Sequence, residues 1–231
     1  MEGFTYVDIF STKGMEYLLV ISGLLSFALF WRFLNRPVAA VVRGADKVMS
    51  TIGDWFRLPA EGVFFHQGHS WAAPEGGEIV RVGMDDFAQK LLGKIDAVQF
   101  PKVGSEVTQG EKGWSLTVGS KSIDMLSPVD GKIVDINEKL LHSPDRIGHD
   151  PYGEFWLMKV QTPKMASNLK NLLSGELAGK WMEGVREKLL SRMNYNLGAV
   201  SHDGGVPVDG IARNVDGQRW DEIVKEFFLI S

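Results

Sequence analysis

Few residues in this chain have the types and spacing for chemistry. Cysteine is absent and there are five histidines, His66, His69, His142, His149 and His202. The lack of cysteine excludes disulfides, thiolate catalysis, cysteine-ligated iron–sulfur clusters and thioether-attached haem through this chain. His66 and His69 stand at i, i+3, but no neighbouring segment adds the further ligands of a zinc site, so no metal is expected. No nucleophile–base or ligand constellation is visible, so the chain is not expected to be an enzyme. The best candidate is an amine. Lys121 follows a small-residue turn, Gly119-Ser120, between two alternating stretches within residues 113–136. A second turn, Ser127-Pro128-Val129-Asp130-Gly131, leads into the next strand; proline pre-sets it and the Asp-Gly pair tolerates positive φ. A lysine displayed on such a turn is how a swinging-arm carrier presents lipoate or biotin. A solvated lysine at a hairpin tip is the bland alternative, since lysine is a routine exposed residue.

Three other segments invite a site reading. His69 and Trp71 fit better in the packing of the first strands. Asp150-Pro151-Tyr152-Gly153 reads as a turn before a strand. Asp203-Gly204-Gly205 lacks the lysine of a phosphate loop and the spaced acidic ligands of a calcium loop.

The elements around these residues follow from composition and pattern. With 231 residues the chain has room for one sizeable domain plus appendages, and a net charge of −4 gives no basic surface for nucleic acid. Residues 62–65, 78–83, 95–101 and 155–160 read as strands, with a Pro/Gly-rich turn over 73–77. Residues 85–93 form a compact helix signal, with an Asp for the cap and Gly93 for the stop. Many short strands with regular turns predict a mainly β fold, a sandwich or barrel flanked by helices. Beyond Pro163 a helical stripe runs through Leu169, Leu172, Leu173, Leu177, Trp181, Val185 and Leu189, with Gly175 and Gly179 breaking or bending it. A last helix over about 220–228 presents Trp220, Ile223, Phe227 and Phe228, which read as candidates for docking a partner or covering a sheet edge.

The N-terminal part differs in kind. Residues 17–31 are uncharged, and the apolar segment 15–34 approaches the ~20 residues a helix needs to cross a bilayer. Tyr17 and Trp31 suit the two interfaces, Leu24, Leu25, Phe27 and Phe30 suit the lipid, and Arg32 can snorkel outward. A net acidic N-terminus argues against a signal peptide. Arg32, Arg36, Arg43 and Lys47 follow the segment while only Lys13 precedes it, which places the C-terminal part in the cytoplasm. Residues 37–56 have helical apolar spacing and predict a juxtamembrane amphipathic helix ending near Gly53, lying on lipid or on a partner.

Several motifs in order carry a family resemblance: His69-Ser70-Trp71; Val82-Gly83-Met84-Asp85-Asp86-Phe87-Ala88-Gln89-Lys90-Leu91-Leu92-Gly93; Phe100-Pro101-Lys102-Val103-Gly104-Ser105-Glu106-Val107; the Ser127-Pro128-Val129-Asp130-Gly131 turn and its strand; and Asp150-Pro151-Tyr152-Gly153-Glu154-Phe155-Trp156. Together, over about residues 64–190, the chain resembles the H-protein of the glycine cleavage system. The resemblance implies a biotinyl/lipoyl-type hybrid barrel-sandwich with flanking helices. It also implies a domain that carries lipoate on a lysine and shuttles an aminomethyl group and electrons between partner enzymes. That lysine lies eleven residues before the Gly of the Pro-Val-x-Gly turn, in a Glu-Ser-Val-Lys-Ala-like pattern. Here that position is Ser120, the family's glutamate position is Thr117, and Lys121 comes one residue late. In a strand a shift of one residue turns a side chain to the other face.

The resulting expectation has five segments: a short extracytoplasmic N-terminus (1–14), a transmembrane helix (15–34), a juxtamembrane helix or linker (35–58), an H-protein-like barrel (59–193) and a C-terminal docking extension (194–231). The expected function is a non-catalytic, single-pass subunit of the inner (cytoplasmic) membrane. It would scaffold a larger complex with other subunits and the bilayer as partners and no cofactor of its own; a respiratory or redox assembly is suggested only by analogy. The alternative is a membrane-tethered lipoyl carrier with its arm on Lys121.

Overall fold

A computed structural model describes residues 9–34, 49–52, 55–59, 61–197 and 209–230. The expected N-terminal stretch up to residue 8, the amphipathic segment over 37–48 and the loop over 201–208 lie outside the described residues. The chain divides into two compact units, Met1–Val38 and Ala39–Ser231.

The first unit holds α1 (Ile9–Leu34). From Glu16 to Trp31 every side chain is exposed, including Tyr17, Leu24, Leu25, Phe27, Phe30 and Trp31. A helix apolar around its whole circumference has no face to turn to a water-soluble core. Among the described residues no helix is long and apolar enough to cross a membrane. The side chains described from Glu16 to Trp31 cover only about 24 Å at 1.5 Å per residue, short of a ~30 Å hydrocarbon layer.

The second unit begins with β1 (Met49–Ile52) and β2 (Phe56–Pro59), an antiparallel pair in which Met49 faces Pro59 and Ile52 faces Phe56. This corrects the expected helix over the last part of 37–56. The burial of β2 has period two, with Phe56 and Leu58 in the core and Arg57 and Pro59 half-buried, which a helix could not provide. The folded domain thus starts before residue 59.

β3 (Phe64–Phe65), β4 (Ser70–Gly76) and β5 (Ile79–Met84) follow. Ala73 and Pro74 lie inside β4, so the turn expected over 73–77 is confined to its end, where the pairing slips between Pro74 and Gly76. α2 (Asp86–Leu92) comes next, then β6 (Ala97–Gln99), β7 (Glu106–Val107), β8 (Lys112–Val118), β9 (Lys121–Leu126) and β10 (Gly131–Ile136). After α3 (Lys139–His142) and a 3₁₀ turn, β11 (Met158–Gln161) completes the strands. A six-stranded sheet in the order β3-β4-β5-β11-β10-β7 and a three-stranded sheet β6-β8-β9 enclose Trp71, Val80, Val82, Trp114, Leu116, Ile123, Met125 and Val160. Trp71 anchors this core: its Nε1 donates to the carbonyls of Met84 (2.9 Å) and Pro151 (3.0 Å), and its ring needs Gly83, where a methyl would land 2.4 Å away. Asp150-Pro151-Tyr152-Gly153 is the expected turn, its Asp150 carboxylate accepting the amides of Gly153 and Glu154.

α4 (Met165–Lys170) and α5 (Gly175–Leu197) follow the barrel. Gly175 starts α5 at φ 54° rather than breaking a longer helix. The buried row is Ala178, Met182, Val185 and Leu189, whereas Leu177 is exposed. α6 (Ile211–Asp216) was not anticipated from the sequence, and α7 (Trp220–Phe228) matches its expected bounds.

The β1–β2 hairpin is pinned by one carboxylate. Asp86, fully buried in the first turn of α2, accepts from the Arg57 backbone N–H (2.9 Å), Arg57 Nη2 (2.7 Å), Arg57 Nε (3.1 Å) and Lys90 Nζ (2.9 Å). Lys90 also donates to the Trp55 carbonyl, and the Tyr152 hydroxyl donates to the Arg57 carbonyl. Burial, then the nearby Asp85 charge, pushes the Tyr152 phenol well above its ordinary value, so it serves only as a neutral donor. Asp86→Ala leaves these cations uncompensated. A loss of roughly 2–3 kcal/mol is expected, below the value for a fully buried pair because Arg57 is partly exposed. Urea denaturation checks the size, and faster amide exchange over 49–59 checks the location.

Candidate functional site

The hairpin of β8 and β9 closes in two residues, Gly119 and Ser120, with Val118 facing Lys121 across the ladder. Gly119 takes φ 64°, as such a tight hairpin turn requires, and its N–H donates to Asp96 Oδ2 at 2.6 Å. The following turn is as fixed. Asp130 Oδ1 accepts the Gln109 amide (2.7 Å), Asn168 Oδ1 accepts the Asp130 amide, and a methyl on Gly131 would strike the Gln161 carbonyl.

Side-chain parity decides what the tip can present. In β9, Ile123 and Met125 point into the core, and Lys121 belongs to the same row. Ser120 and Ser122 have the opposite parity and are exposed. The amine therefore continues the inward row past the end of the core, where α7 receives it. Lys121 Nζ lies 2.7 Å from Asp221 Oδ1 and 4.6 Å from the centroid of the Trp220 ring. Trp220 is itself buried. The pairing of an ammonium with a carboxylate and an aromatic face satisfies its charge within the chain.

The rest of α7 is equally engaged. Ile223, Phe227 and Phe228 are buried with Trp220 in the domain's own core. Of the two expectations for these four residues, docking a partner or covering part of this domain, the structure corrects the first: their apolar surface is spent inside the chain, over the hairpin and α2. Phe227 lies 5.2 Å from Phe87, and Glu226 binds Lys188 Nζ (3.0 Å) and Arg192 Nη2 (2.9 Å) of α5. Asp221 and Arg213, whose guanidinium reaches Gly119, left no signal in the sequence, because a surface charge discloses no long-range partner.

His69 is structural. It sits at φ 63° with its ring stacked on Phe87 at 4.2 Å and close to Trp181 at 4.9 Å, while Nδ1 meets Asp85 Oδ2 at 2.8 Å. The same Asp85 carboxylate caps α2 by accepting the Ala88 amide (2.8 Å). Desolvation, then the neighbouring His69, holds the His66 imidazole below its ordinary pKa, and its Nδ1 accepts the Gly68 amide. Among the described residues no three His, Cys, Asp or Glu side chains gather to hold a metal.

A family model described as glycine cleavage H-protein matches residues 63–184. The chain belongs to the glycine cleavage H-protein family. It is 36% identical over 128 residues to the glycine cleavage system H protein of Mycobacterium sp. (strain KMS), covering 55% of this chain and 95% of that one. It is 41% identical over 116 residues to the one from Coprothermobacter proteolyticus, covering 50% of this chain and 91% of that one. The crystal structure of an H protein from Mycobacterium marinum shares 32% identity, covers 53% of this chain and 98% of its own, and superposes with a TM-score of 0.46. The family match over residues 63–184, with the sheets and helices described above, establishes an H-protein-like, β-rich domain with flanking helices.

At the family's lysine position the residue present does not fit lipoate, the group the family implies. The hydroxyl at Ser120 cannot form the amide, and the only adjacent amine is on the inward row and already bound.

The α7 contact makes a pH prediction. Partial burial raises the Glu226 pKa, but hydrogen bonds from Lys188 and Arg192 outweigh it, so the carboxyl lies below its ordinary range. A depressed folded pKa contributes stability that is present above the unfolded value, and this is lost as pH falls through the folded one. Amide exchange over 220–228 is expected to quicken as pH drops from about 5 toward 3, after correction for intrinsic rates. Glu226→Gln should flatten that dependence.

Proposed function

We propose that this H-protein-family chain is a non-catalytic subunit in which the barrel serves as a docking and scaffolding module, tethered to the membrane through residues 15–34. The observation that carries this reading is the bound state of Lys121 beside a serine at the lysine position. A swinging arm needs an amine that an acylating enzyme can reach and that then moves freely; Lys121 has an ion pair and an aromatic face holding it.

The membrane part of the proposal is supported by the uncharged stretch 17–31, by the exposure of its side chains and by a helical backbone that runs unbroken through residues 15–34, about 30 Å long. The excess of Arg and Lys after the segment supports placing the barrel on the cytoplasmic side of the inner membrane, with a single pass. The partners in this reading are other subunits of a membrane complex and the bilayer. With no cysteine in the chain, redox centres of such a complex would sit on those other subunits. The competing reading is a membrane-tethered lipoyl carrier using Lys121. Family membership supports it, and the contacts of that lysine weigh against it.

Peptide-resolved mass spectrometry on protein purified from its own host tests the reading. The peptide spanning Lys121 is expected unmodified, and a lipoyl-sized increment there would establish the carrier instead. Topology has a separate test. A cysteine introduced at Ser201 should react with a membrane-impermeant maleimide only after the cells are opened, and labelling in intact spheroplasts would overturn the orientation.

A further inference from the structure

The family model ends at residue 184, and relatives are matched over 92% and 95% of their own length by 125 and 128 residues of this chain. Helices α6 and α7 are therefore additions to a domain already complete. Both land on the face that carries the hairpin tip. The Gly210 N–H donates to the Lys90 carbonyl of α2 at 2.8 Å, which starts α6 against that helix, and α6 sends Arg213 over Gly119. At the start of α7, Trp220 and Asp221 hold Lys121; at its end the Phe228 carbonyl abuts Gly68, where a methyl would sit 3.1 Å from it. Between these points Ile223, Val224 and Phe227 are buried and Glu226 is gripped by two cations of α5.

We propose that α6 and α7 are a built-in occupant of the inward side of the hairpin tip, taking its flanks at Gly119 and Lys121 from any enzyme that would grip the tip, while Ser120 itself stays exposed. This rests on the reading that the tip no longer works as a carrier, and adds that steric closure, not only the residue at position 120, enforces it. An enzyme must surround a hairpin tip from several sides to reach a side chain on it. Here the flank at Gly119 holds Arg213 and the flank at Lys121 holds Trp220 and Asp221. The occupant is held by the Gly210–Lys90 backbone hydrogen bond at the start of α6 and by side-chain contacts along α7, with no strand of either sheet contributed by it.

The test uses a lipoate–protein ligase as a probe of macromolecular access. The full chain is co-expressed with the ligase and lipoic acid. The ligase joins the lipoyl carboxyl carbon to a lysine Nζ as an amide, with AMP from the ATP-derived lipoyl-adenylate as the leaving group and a proton released from the amine. Three variants are compared with the wild type: Ser120→Lys, which restores the amine at the family position; Ser120→Lys with Asp221→Arg; and Ser120→Lys with Trp220→Ala and Asp221→Arg. Asp221 is largely exposed, so its charge reversal repels Lys121 without removing a buried side chain, and amide exchange over 220–228 reports release independently. Lipoylation at position 120 is expected to be roughly tenfold higher once α7 is released than in Ser120→Lys alone, matching a tenfold rise in the open population. Equal modification of Ser120→Lys with α7 docked overturns the closure. So does failure to modify either released chain when exchange shows α7 detached. Lipoylation of wild-type Lys121 sinks the non-carrier reading itself, and the residue modified tells the two failures apart.

Discussion

The alternation of side chains along β9 is the constraint from which the site's properties follow. Because a strand has a period of two, the amine at 121 shares its side with Ile123 and Met125, while Ser120 and Ser122 look outward. At the end of that core-facing row the amine is only partly exposed, and it finds partners close by. These are Asp221 and the Trp220 ring, on a helix from beyond the family domain that buries Ile223, Phe227 and Phe228 and so lies over the hairpin. The tip stays exposed at Ser120, where there is no amine to modify.

A second carboxylate does comparable work for the opposite end of the domain. Asp86 gathers the Arg57 and Lys90 side chains and the Arg57 amide, and so attaches a strand pair that precedes the family domain. Its neighbour Asp85 caps α2 and orients His69. Helix α2 thus has β2 on one flank, through Phe56 against Phe87 at 5.0 Å, and α6 and α7 on another. The segments that distinguish this chain from its shorter relatives converge on one short helix.

The β-rich domain was legible in the sequence because its signals are local. Gly119-Ser120 and Pro128-Val129-Asp130-Gly131 fix turns by their own backbone preferences, and Asp85 and Gly93 bracket α2 as cap and stop. The bounds of α7 were legible from its apolar spacing, but not the destination of that face. Trp220, Ile223, Phe227 and Phe228 look the same whether the surface they cover belongs to another protein or to this one. The stretch before the barrel misled for a related reason. The spacing of Val48, Met49 and Ile52 satisfies a helical period, yet what decides the conformation is the burial of Phe56 and Leu58 and the ladder from Met49 to Pro59, both set by distant residues. Leu177 fits the helical stripe, but the tertiary contacts of α5 turn the adjacent row of Ala178 and Met182 inward.

The convergence on α2 also has a mechanical side. The strand pair at residues 49–59 and the helix at 220–228 are the outermost described elements of their unit, and both are fastened to the same seven-residue helix. A pull arriving along the chain from either side is received by α2 through Arg57 and Phe56 or through Phe227 and the Gly210 amide. The three-stranded sheet shares in that attachment through Lys121 of β9, which Asp221 and Trp220 of α7 hold. The segments before and after the family domain thus brace the same short helix from two flanks.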